Sequence, residues 1–235
     1  MKFLCLHGSY GSATNFQVQL APFVEAVNRS CDAQFKWAQG AHPATPPPGF
    51  EDYFGVPPLY RFVDFDGISG FNDILLKIHG QEPYPERSIR NAINDIFKII
   101  DADPEIDGIL GYSEGATTAA TLILEERRRW EEEGIPRRIK CAIFFAGWPP
   151  VEFKGGEVKC RLMDECEDVI DIPTCHIVGC NDPYIHGAMA LYNICDEDIA
   201  ELFDHGKGHT VPRDARTINE LAAAIGRVVN KASRG

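Results

Sequence analysis

The most informative segment of the chain reads Ile106-Asp107-Gly108-Ile109-Leu110-Gly111-Tyr112-Ser113-Glu114-Gly115. Its apolar part predicts a buried strand over 106–112, and the residues after Ser113 predict a long helix that starts at Glu114. The pattern Gly-x-Ser-x-Gly between a strand and a helix holds a serine on a sharp, strained turn, with its hydroxyl above the edge of the sheet. Gly111 and Gly115 leave room where side chains would collide. We therefore expect Ser113 to be a nucleophile.

Apolar runs of strand length alternate with amphipathic stretches along the rest of the chain. Further strands are predicted at 3–6, 35–38, 139–146, 174–178 and 202–203. Helices are predicted over about 16–27 after a cap at Ser12 or Thr14, over 88–100 with Ser88 as the cap, over 114–133, around 190–194 and over 213–231. This alternation predicts an α/β fold with a mostly parallel central sheet and helices on both faces. We expect one domain over 1–235, because this length favours a single large α/β unit.

Charge and composition narrow the class of function. The chain carries 35 acidic and 23 basic residues, a formal charge of −12, so we expect no nucleic-acid partner, because phosphate binding needs a basic surface. No apolar run reaches the about 18–20 residues of a membrane helix, and the N-terminal run is too short for a signal peptide; we expect no membrane association. The eight cysteines form no C-x-x-C pair. They predict reduced thiols, a cytoplasmic location and no metal site.

A serine hydroxyl is a weak nucleophile near neutral pH and needs a base. His209 lies between the last predicted strand and the last predicted helix. Active sites form in such loops at the carboxyl ends of parallel strands, so His209 is the expected base. His205 is the nearby alternative, whereas His176 falls within a strand and is expected to be a core residue.

The base in turn needs an acidic partner, for which Asp182 is the expected residue. It follows the fifth predicted strand in a turn that contains Pro183. The alternative interpretation is an ordinary Asp-Pro turn, and Asp171 or Asp204 could take its place. The chain order of serine, aspartate and histidine, each after its own strand, is that of the α/β-hydrolase fold.

An acyl-transfer site also needs two donors for the oxyanion. The backbone amide of Glu114, next to the nucleophile, is the first candidate. The second is expected from the loop after the first strand, where Gly8 and Gly11 let the backbone approach the site. The amide of Ser9 is preferred there, with that of Tyr10 as the alternative. The full G-x-G-x-x-G pattern of a dinucleotide site is not present.

The segment 41–86 interrupts the alternation of strands and helices. It holds 8 of the 16 prolines and 8 of the 24 aromatic residues, so it cannot form one regular element. We expect a lid-like insertion, with a surface loop pinned by its aromatic rings as the alternative. The polar stretch 148–171 is expected to be a surface loop. Candidates for lining an apolar acyl pocket, for which ordinary packing is an equal alternative, are Phe54, Tyr60, Phe62 and Trp148.

The chain resembles the fungal serine hydrolase family from Phe3 to Val229. In that family the nucleophile, acid and base match Ser113, Asp182 and His209. Some members are thioesterases encoded with fungal polyketide synthases, and they free an acyl chain from an acyl carrier protein. The resemblance implies a serine hydrolase without a cofactor, an acyl thioester or ester as substrate, and a carrier protein as candidate partner. It is carried by Leu4-Cys5-Leu6-His7-Gly8, Gly108-Ile109-Leu110-Gly111-Tyr112-Ser113-Glu114-Gly115-Ala116 and Gly206-Lys207-Gly208-His209-Thr210-Val211-Pro212.

Two features depart from this expectation. Glu114 stands where the family commonly has glutamine. A carboxylate that faced the oxyanion would repel the negative charge that develops there. The Glu114 side chain is therefore expected to turn toward a cation or water. A charge of −12 would also repel an anionic carrier protein. Residues 127–129 and 137–140 are candidate basic patches, but ion pairs with neighbouring glutamates explain the first better. The alternatives to a thioesterase are a general carboxylesterase and a binding protein with little turnover.

Overall fold

The computed structural model describes residues 1–48, 54–64, 86–154, 157–160 and 170–234. Within these ranges the strands are β1 Lys2–Leu6, β2 Gln34–Ala38, β3 His42–Pro43, β4 Tyr60–Arg61, β5 Ile106–Tyr112, β6 Cys141–Phe145, β7 Val151–Lys154, β8 Glu157–Cys160, β9 Thr174–Val178 and β10 Ala200–Asp204. The helices are α1 Ala13–Ser30, α2 Glu86–Asp101, α3 Glu114–Glu133, α4 Ile185–Asn193 and α5 Ala215–Ala232.

Six strands form one parallel sheet in the order β10-β9-β6-β5-β1-β2. The chain first moves from β1 to β2 at one edge and later continues from β5 on the other side of β1. The strand order therefore reverses between β1 and β5, and ligands bind outside the carboxyl ends of the strands at such a reversal. His7 follows β1 and Ser113 follows β5, so both residues lie at this point of the fold.

Successive side chains of the sheet point into two different cores. In β1, Leu4 and Leu6 pack with the apolar faces of α2 and α3. Phe3 and Cys5 point the other way and pack with α1 and α5. The prediction of a mostly parallel sheet with helices on both faces is confirmed. None of the helices in the described ranges is long and apolar enough to cross a membrane.

Two local predictions are wrong. The stretch 148–171 is not only a loop, because β7 and β8 pair as an antiparallel hairpin in register Val151↔Cys160. Ser88 does not cap α2, which already begins at Glu86; its hydroxyl accepts a hydrogen bond from the Asp64 amide at 2.7 Å instead. Ser12 does cap α1, where it accepts from the Asn15 amide at 3.1 Å.

The Pro- and aromatic-rich segment 41–86 lies partly outside the described residues. In its described parts, β3 and β4 pair antiparallel through His42 and Arg61. The Tyr60 amide donates to the Gly11 carbonyl at 2.7 Å. The part of this segment around Tyr60 is thus fastened to the loop after β1, while the expectation of a lid stays a prediction.

Candidate active site

Ser113 occupies the turn between β5 and α3 in a conformation that few residues adopt. Its φ is 52° and its ψ −117°, which costs on the order of 1–3 kcal/mol. A Cβ on Gly111 would lie 2.4 Å from the Gly115 oxygen, and one on Gly115 would lie 2.2 Å from the Leu6 oxygen. The Ser113 amide donates to the Phe145 carbonyl at 2.8 Å. Bare glycines and the neighbouring strands therefore hold the strained turn in place.

His209 and Asp182 continue a hydrogen-bonded chain from this serine. His209 Nε2 lies 3.1 Å from Ser113 Oγ, and His209 Nδ1 lies 2.7 Å from Asp182 Oδ2. Because a carboxylate only accepts hydrogen bonds, this contact places the imidazole proton on Nδ1 and leaves Nε2 to accept from the serine hydroxyl. The Asp182 side chain is only 2% exposed. The connectivity is that of a Ser-His-Asp triad.

The loops that carry Asp182 and His209 are fastened to each other. The Asn181 amide donates to the Lys207 carbonyl at 3.1 Å, and Asn181 Nδ2 donates to the Gly206 carbonyl at 2.9 Å. A Cβ on Gly179 would lie 2.0 Å from the Lys207 oxygen, so the two backbones meet where no side chain fits. This contact fixes the acid relative to the base.

Two tyrosines that the sequence analysis did not single out also enclose the base. The Tyr112 hydroxyl donates to the His209 carbonyl at 3.1 Å, and its ring lies 5.4 Å from the imidazole. The Tyr184 ring packs edge-on against the imidazole at 5.1 Å, and its amide donates to Asp182 Oδ1 at 2.8 Å. Their positions beside Ser113 and Asp182 in the sequence were the available signal.

The loop after β1 lies against the nucleophile. A Cβ on Gly8 would lie 3.3 Å from Ser113 Cβ. The Gly11 amide donates to the Gly8 carbonyl at 3.1 Å, which closes a turn over Ser9 and Tyr10, and Tyr10 has a φ of 55°. The three predicted oxyanion donors, the amides of Glu114, Ser9 and Tyr10, therefore belong to segments that border Ser113.

His7 anchors this loop from beneath. It is 1% exposed; its Nδ1 donates to the Gly8 carbonyl at 2.8 Å and its Nε2 accepts from the Gly40 amide at 3.0 Å. Burial lowers the pKa of His7, although the Gly8 carbonyl and the Glu114 charge oppose that shift. A neutral imidazole thus joins the end of β1 to the end of β2.

The Glu114 side chain turns away from the nucleophile toward a cation, as expected. Its Oε2 accepts from Arg61 Nε at 3.0 Å and also from the Ser9 hydroxyl. Its Oε1 accepts from the amides of Phe62 and Val63 at 2.8 and 3.0 Å. The side chains of Glu114 and Arg61 are 7% and 11% exposed. This buried carboxylate therefore joins the nucleophile turn, the β1 loop and the segment that contains β4.

The four predicted pocket residues occupy different surroundings. The Phe54 ring lies 4.9 Å from that of Tyr10, and the Trp148 ring lies 6.3 Å from that of Tyr184. Tyr60 is half-buried in β4. Phe62 is 4% exposed and packs in the core against His7. Ordinary packing accounts for Phe62, while the pocket role of the other three stays a prediction.

The two alternative acids have other partners, and Nδ1 of the alternative base, His205, is buried with no hydrogen-bond partner among the described residues. Asp171 pairs with Arg137 at 2.7 Å, and Asp204 Oδ1 accepts from the amides of Cys180 and Gly206. The His205 amide donates to the Val178 carbonyl, and burial lowers the pKa of its imidazole. His176 is 2% exposed, and burial lowers its pKa to about 3, in keeping with the predicted core histidine.

The basic residues of α3 are already neutralised. Arg127 pairs with Glu131 at 2.8 Å, and Arg129 pairs with Glu125 at 3.0 Å. Arg128 contacts three carboxylates of the same helix, those of Glu125, Glu132 and Glu133. The ion-pair interpretation of 127–129 is confirmed. Among the residues that the structure describes, no cluster of three or more His, Cys, Asp or Glu side chains could hold a metal ion.

The fold and this site have counterparts among known proteins. The structure is similar to a carboxylesterase from Bacillus cereus, with a TM-score of 0.57 and 17% identity over 96% of this chain and 87% of that one. It is also similar to a carboxylesterase from Mesorhizobium loti, with a TM-score of 0.55 and 18% identity over 94% and 88% of the two chains. Both are α/β-hydrolases, which confirms the fold.

The sequence itself matches fungal hydrolases along its whole length. It is 31% identical to Esterase FPY3 of Fusarium mangiferae over all of both chains. It is 27% identical to Hydrolase phiM of Talaromyces stipitatus over 96% of this chain and 86% of the relative. The model of the family described as serine hydrolase (FSH1) matches residues 1–221. The chain therefore belongs to the FSH1 serine hydrolase family, and it is a hydrolase of the α/β-hydrolase fold.

Proposed function

We propose that Ser113, His209 and Asp182 are the catalytic triad of this hydrolase and that it cleaves an acyl thioester or ester through an acyl-enzyme. The observation that carries the proposal is the continuous contact from Ser113 Oγ through both nitrogens of His209 to Asp182 Oδ2. A serine so placed has a base within reach of its proton, and that base has a carboxylate to hold its tautomer.

The reaction proceeds in two halves. Ser113 Oγ attacks the carbonyl carbon while its proton passes to His209 Nε2, and negative charge develops on the carbonyl oxygen. The amides of Glu114 and Ser9, with Tyr10 as the alternative to Ser9, donate to that oxygen, and the N-terminus of α3 favours the charge. Collapse of the intermediate breaks the carbon–sulfur or carbon–oxygen bond, and His209 protonates the leaving group. Water then attacks the acyl-enzyme by the same path and frees the acid and Ser113.

We further propose that the substrate is an acyl thioester, a polyketide or other acyl chain held by the acyl carrier protein of a polyketide synthase. The resemblance to thioesterases of such pathways supports this substrate, and the relatives named esterase and hydrolase support the wider ester chemistry. Phe54, Tyr60 and Trp148 would line the acyl pocket, because Phe54 lies beside Tyr10 and Trp148 beside Tyr184.

We place this reaction in the cytoplasm. Six cysteines in the described ranges are free thiols, and four of these side chains are buried. Protein thiols stay reduced in that compartment. Fractionation of cells that express the protein tests the assignment, and recovery in the culture medium would refute it.

The experiment that tests the proposed reaction combines a covalent probe with a substrate panel. A fluorophosphonate should label the native protein once, and Ser113→Ala should lose both the labelling and turnover, by about 10⁶-fold in kcat. The panel pairs each acyl group as an aryl ester and as a pantetheine thioester, and we expect the thioester to have the higher kcat/KM.

The two parts of the proposal fail separately. Undiminished turnover by a folded Ser113→Ala protein would refute the nucleophile. Turnover of the esters with every thioester untouched would leave the triad in place and make the protein a general carboxylesterase. Native protein that neither labels nor turns over would favour the binding-protein alternative.

A further inference from the structure

The buried carboxylate of Glu114 makes four contacts with two separate segments of the chain, the loop after β1 and residues 61–63. One oxygen accepts from Arg61 Nε and from the Ser9 hydroxyl, and the other accepts from the amides of Phe62 and Val63. The four donors, Arg61, Ser9, Phe62 and Val63, lie 53, 105, 52 and 51 residues from Glu114 in the sequence.

The contacts of Ser9 and Arg61 extend this junction on both sides. Ser9 lies in the turn whose amides are the proposed oxyanion donors, so a bond to its hydroxyl restrains that turn. Arg61 lies over the Tyr10 ring at 5.3 Å, and the backbone of Gly40 packs so closely on Arg61 that a Cβ on Gly40 would lie 2.5 Å from the Arg61 oxygen. The β1 loop is thereby held between the nucleophile turn and β4.

Charge explains why the glutamate does not oppose the reaction beside it. The guanidinium of Arg61 neutralises the Glu114 carboxylate, and three N–H or O–H groups satisfy its remaining lone pairs. A paired, fully hydrogen-bonded carboxylate keeps its geometry, because moving any one donor would leave a buried charge unsatisfied.

We propose that Glu114 is a positioning residue for the hydrolysis reaction: its side chain holds Ser9, and through it the oxyanion loop, at the distance from Ser113 that the transition state requires. The proposal rests on the proposed function, because it assumes that the Ser9 turn supplies an oxyanion donor. Glu114 thus has two separate roles, since its amide contacts the substrate oxygen and its carboxylate acts through Ser9.

A double-mutant cycle on kcat tests this role. Ser9→Ala keeps the backbone amide and removes only the hydroxyl that bonds Glu114. We expect it to lower kcat about 10-fold with little change in KM, because the oxyanion exists only in the transition state. Glu114→Ala should lower kcat about 10- to 100-fold, and adding Ser9→Ala to it should cause no further loss, because the bond is already gone.

The conservative variants provide rescue. Ser9→Thr keeps the hydroxyl, so it should recover kcat to within about 3-fold of the native value. Glu114→Gln still accepts from the amides of Phe62 and Val63, but its NH2 group then faces the Arg61 Nε–H, and both groups are donors. It should therefore recover only part of the loss that Glu114→Ala causes. If Glu114→Ala does not fold, comparing kcat of Ser9→Ala with that of Ser9→Thr still tests whether the hydroxyl that bonds Glu114 positions the oxyanion loop.

Glu126 is the matched control. It lies on the same helix, is 5% exposed, and accepts from the amides of Arg138 and Ile139 at 3.0 and 3.2 Å. Glu126→Ala should lower the melting temperature and leave kcat of the folded protein unchanged, and its effects should add to those of Ser9→Ala.

Several outcomes would overturn the proposal. Native kcat in folded Glu114→Ala or Ser9→Ala would show that the carboxylate only stabilises the fold, and independent, additive losses in the cycle would show that the Ser9 hydroxyl acts without Glu114. The cycle can be measured with an ester or a thioester, so failure of the thioester assignment does not affect it. Failure of the triad would appear separately, as turnover by Ser113→Ala.

Discussion

At the scale of single residues, Asp182 determines which nitrogen of His209 carries a proton. Asp182→Asn keeps the size of the side chain but can present an amide N–H to Nδ1, which moves the imidazole proton to Nε2 and leaves nothing to accept from Ser113. We expect kcat to fall about 10⁴-fold with the protein still folded. Steady-state kinetics and circular dichroism measure both quantities.

The matched control is Asp171→Asn, which removes a carboxylate that pairs with Arg137 on the surface, 44% exposed. That variant should retain native kcat. If instead Asp171→Asn abolished turnover and Asp182→Asn did not, the acid of the triad would have to be reassigned.

The sequence predicted which residues come together at the site, but not all of what they contact. Ser113, Asp182 and His209 could be selected because each follows its own strand, and the topology of a parallel sheet brings such positions to one edge. The partners of the Glu114 carboxylate could not be selected, because Phe62 and Val63 lie in an irregular segment whose path no periodicity encodes. Tyr184 was overlooked because its signal, a position two residues after Asp182, does not show that its ring reaches His209.

At the scale of elements, the contact between the nucleophile turn and β1 depends on Gly115. A Cβ there would lie 2.2 Å from the Leu6 oxygen and 2.5 Å from the His7 oxygen, both of which are backbone atoms. Gly115→Ala must therefore separate α3 from β1 or distort the turn, and we expect a loss of more than about 2 kcal/mol in the free energy of unfolding. Urea unfolding measures this loss.

Gly226 provides the comparison, because it lies within α5 and a Cβ there would meet no atom within 4 Å. Gly226→Ala should stabilise the protein by about 0.5–1 kcal/mol, since alanine restricts the unfolded chain and favours the helix. If the two substitutions changed the free energy of unfolding equally, the close approach of the Leu6 and His7 oxygens would not be what excludes a side chain at position 115.

The elements that the sequence predicted best are those buried on both faces of the sheet. The run 174–178 matches β9 at both ends, and all five of its residues are buried, because a short strand between two layers of helices is covered on both faces. The β7–β8 hairpin was missed although its signal is present: apolar and polar residues alternate in 151–154 and 157–160 around Gly155-Gly156. A polar composition concealed the alternation.

At the scale of the whole molecule, the two cores and the site share one sheet, so the site exists only while the sheet is folded. The stability of the fold at acid pH therefore sets the lower limit of the pH range in which the hydrolase can act. Three histidines are buried and have pKa values lowered by burial: His7, His176 and His205. In the unfolded chain each takes up a proton near its ordinary pKa of about 6.5. In the folded state the same histidines stay neutral to lower pH, because burial lowers their pKa values. The stability that they contribute is therefore fully present above pH 6.5 and is lost as the pH falls below it.

His176 gives this effect a size, because burial lowers its pKa to about 3. Between about pH 7.5 and about pH 5.5 it alone should lower the free energy of unfolding by about 1 kcal/mol, since the unfolded state binds a proton that the folded state does not. Its ring packs against Phe144 and Tyr192, and its Nε2 contacts the Thr174 hydroxyl. His176→Gln keeps a polar group toward Thr174, but the glutamine side chain cannot be protonated. The free energy of unfolding of this variant should therefore fall less between the two pH values, by the amount that His176 contributes. Chemical unfolding of both proteins across this range tests the prediction, and parallel curves would show that His176 is protonated in the folded state as readily as in the unfolded chain.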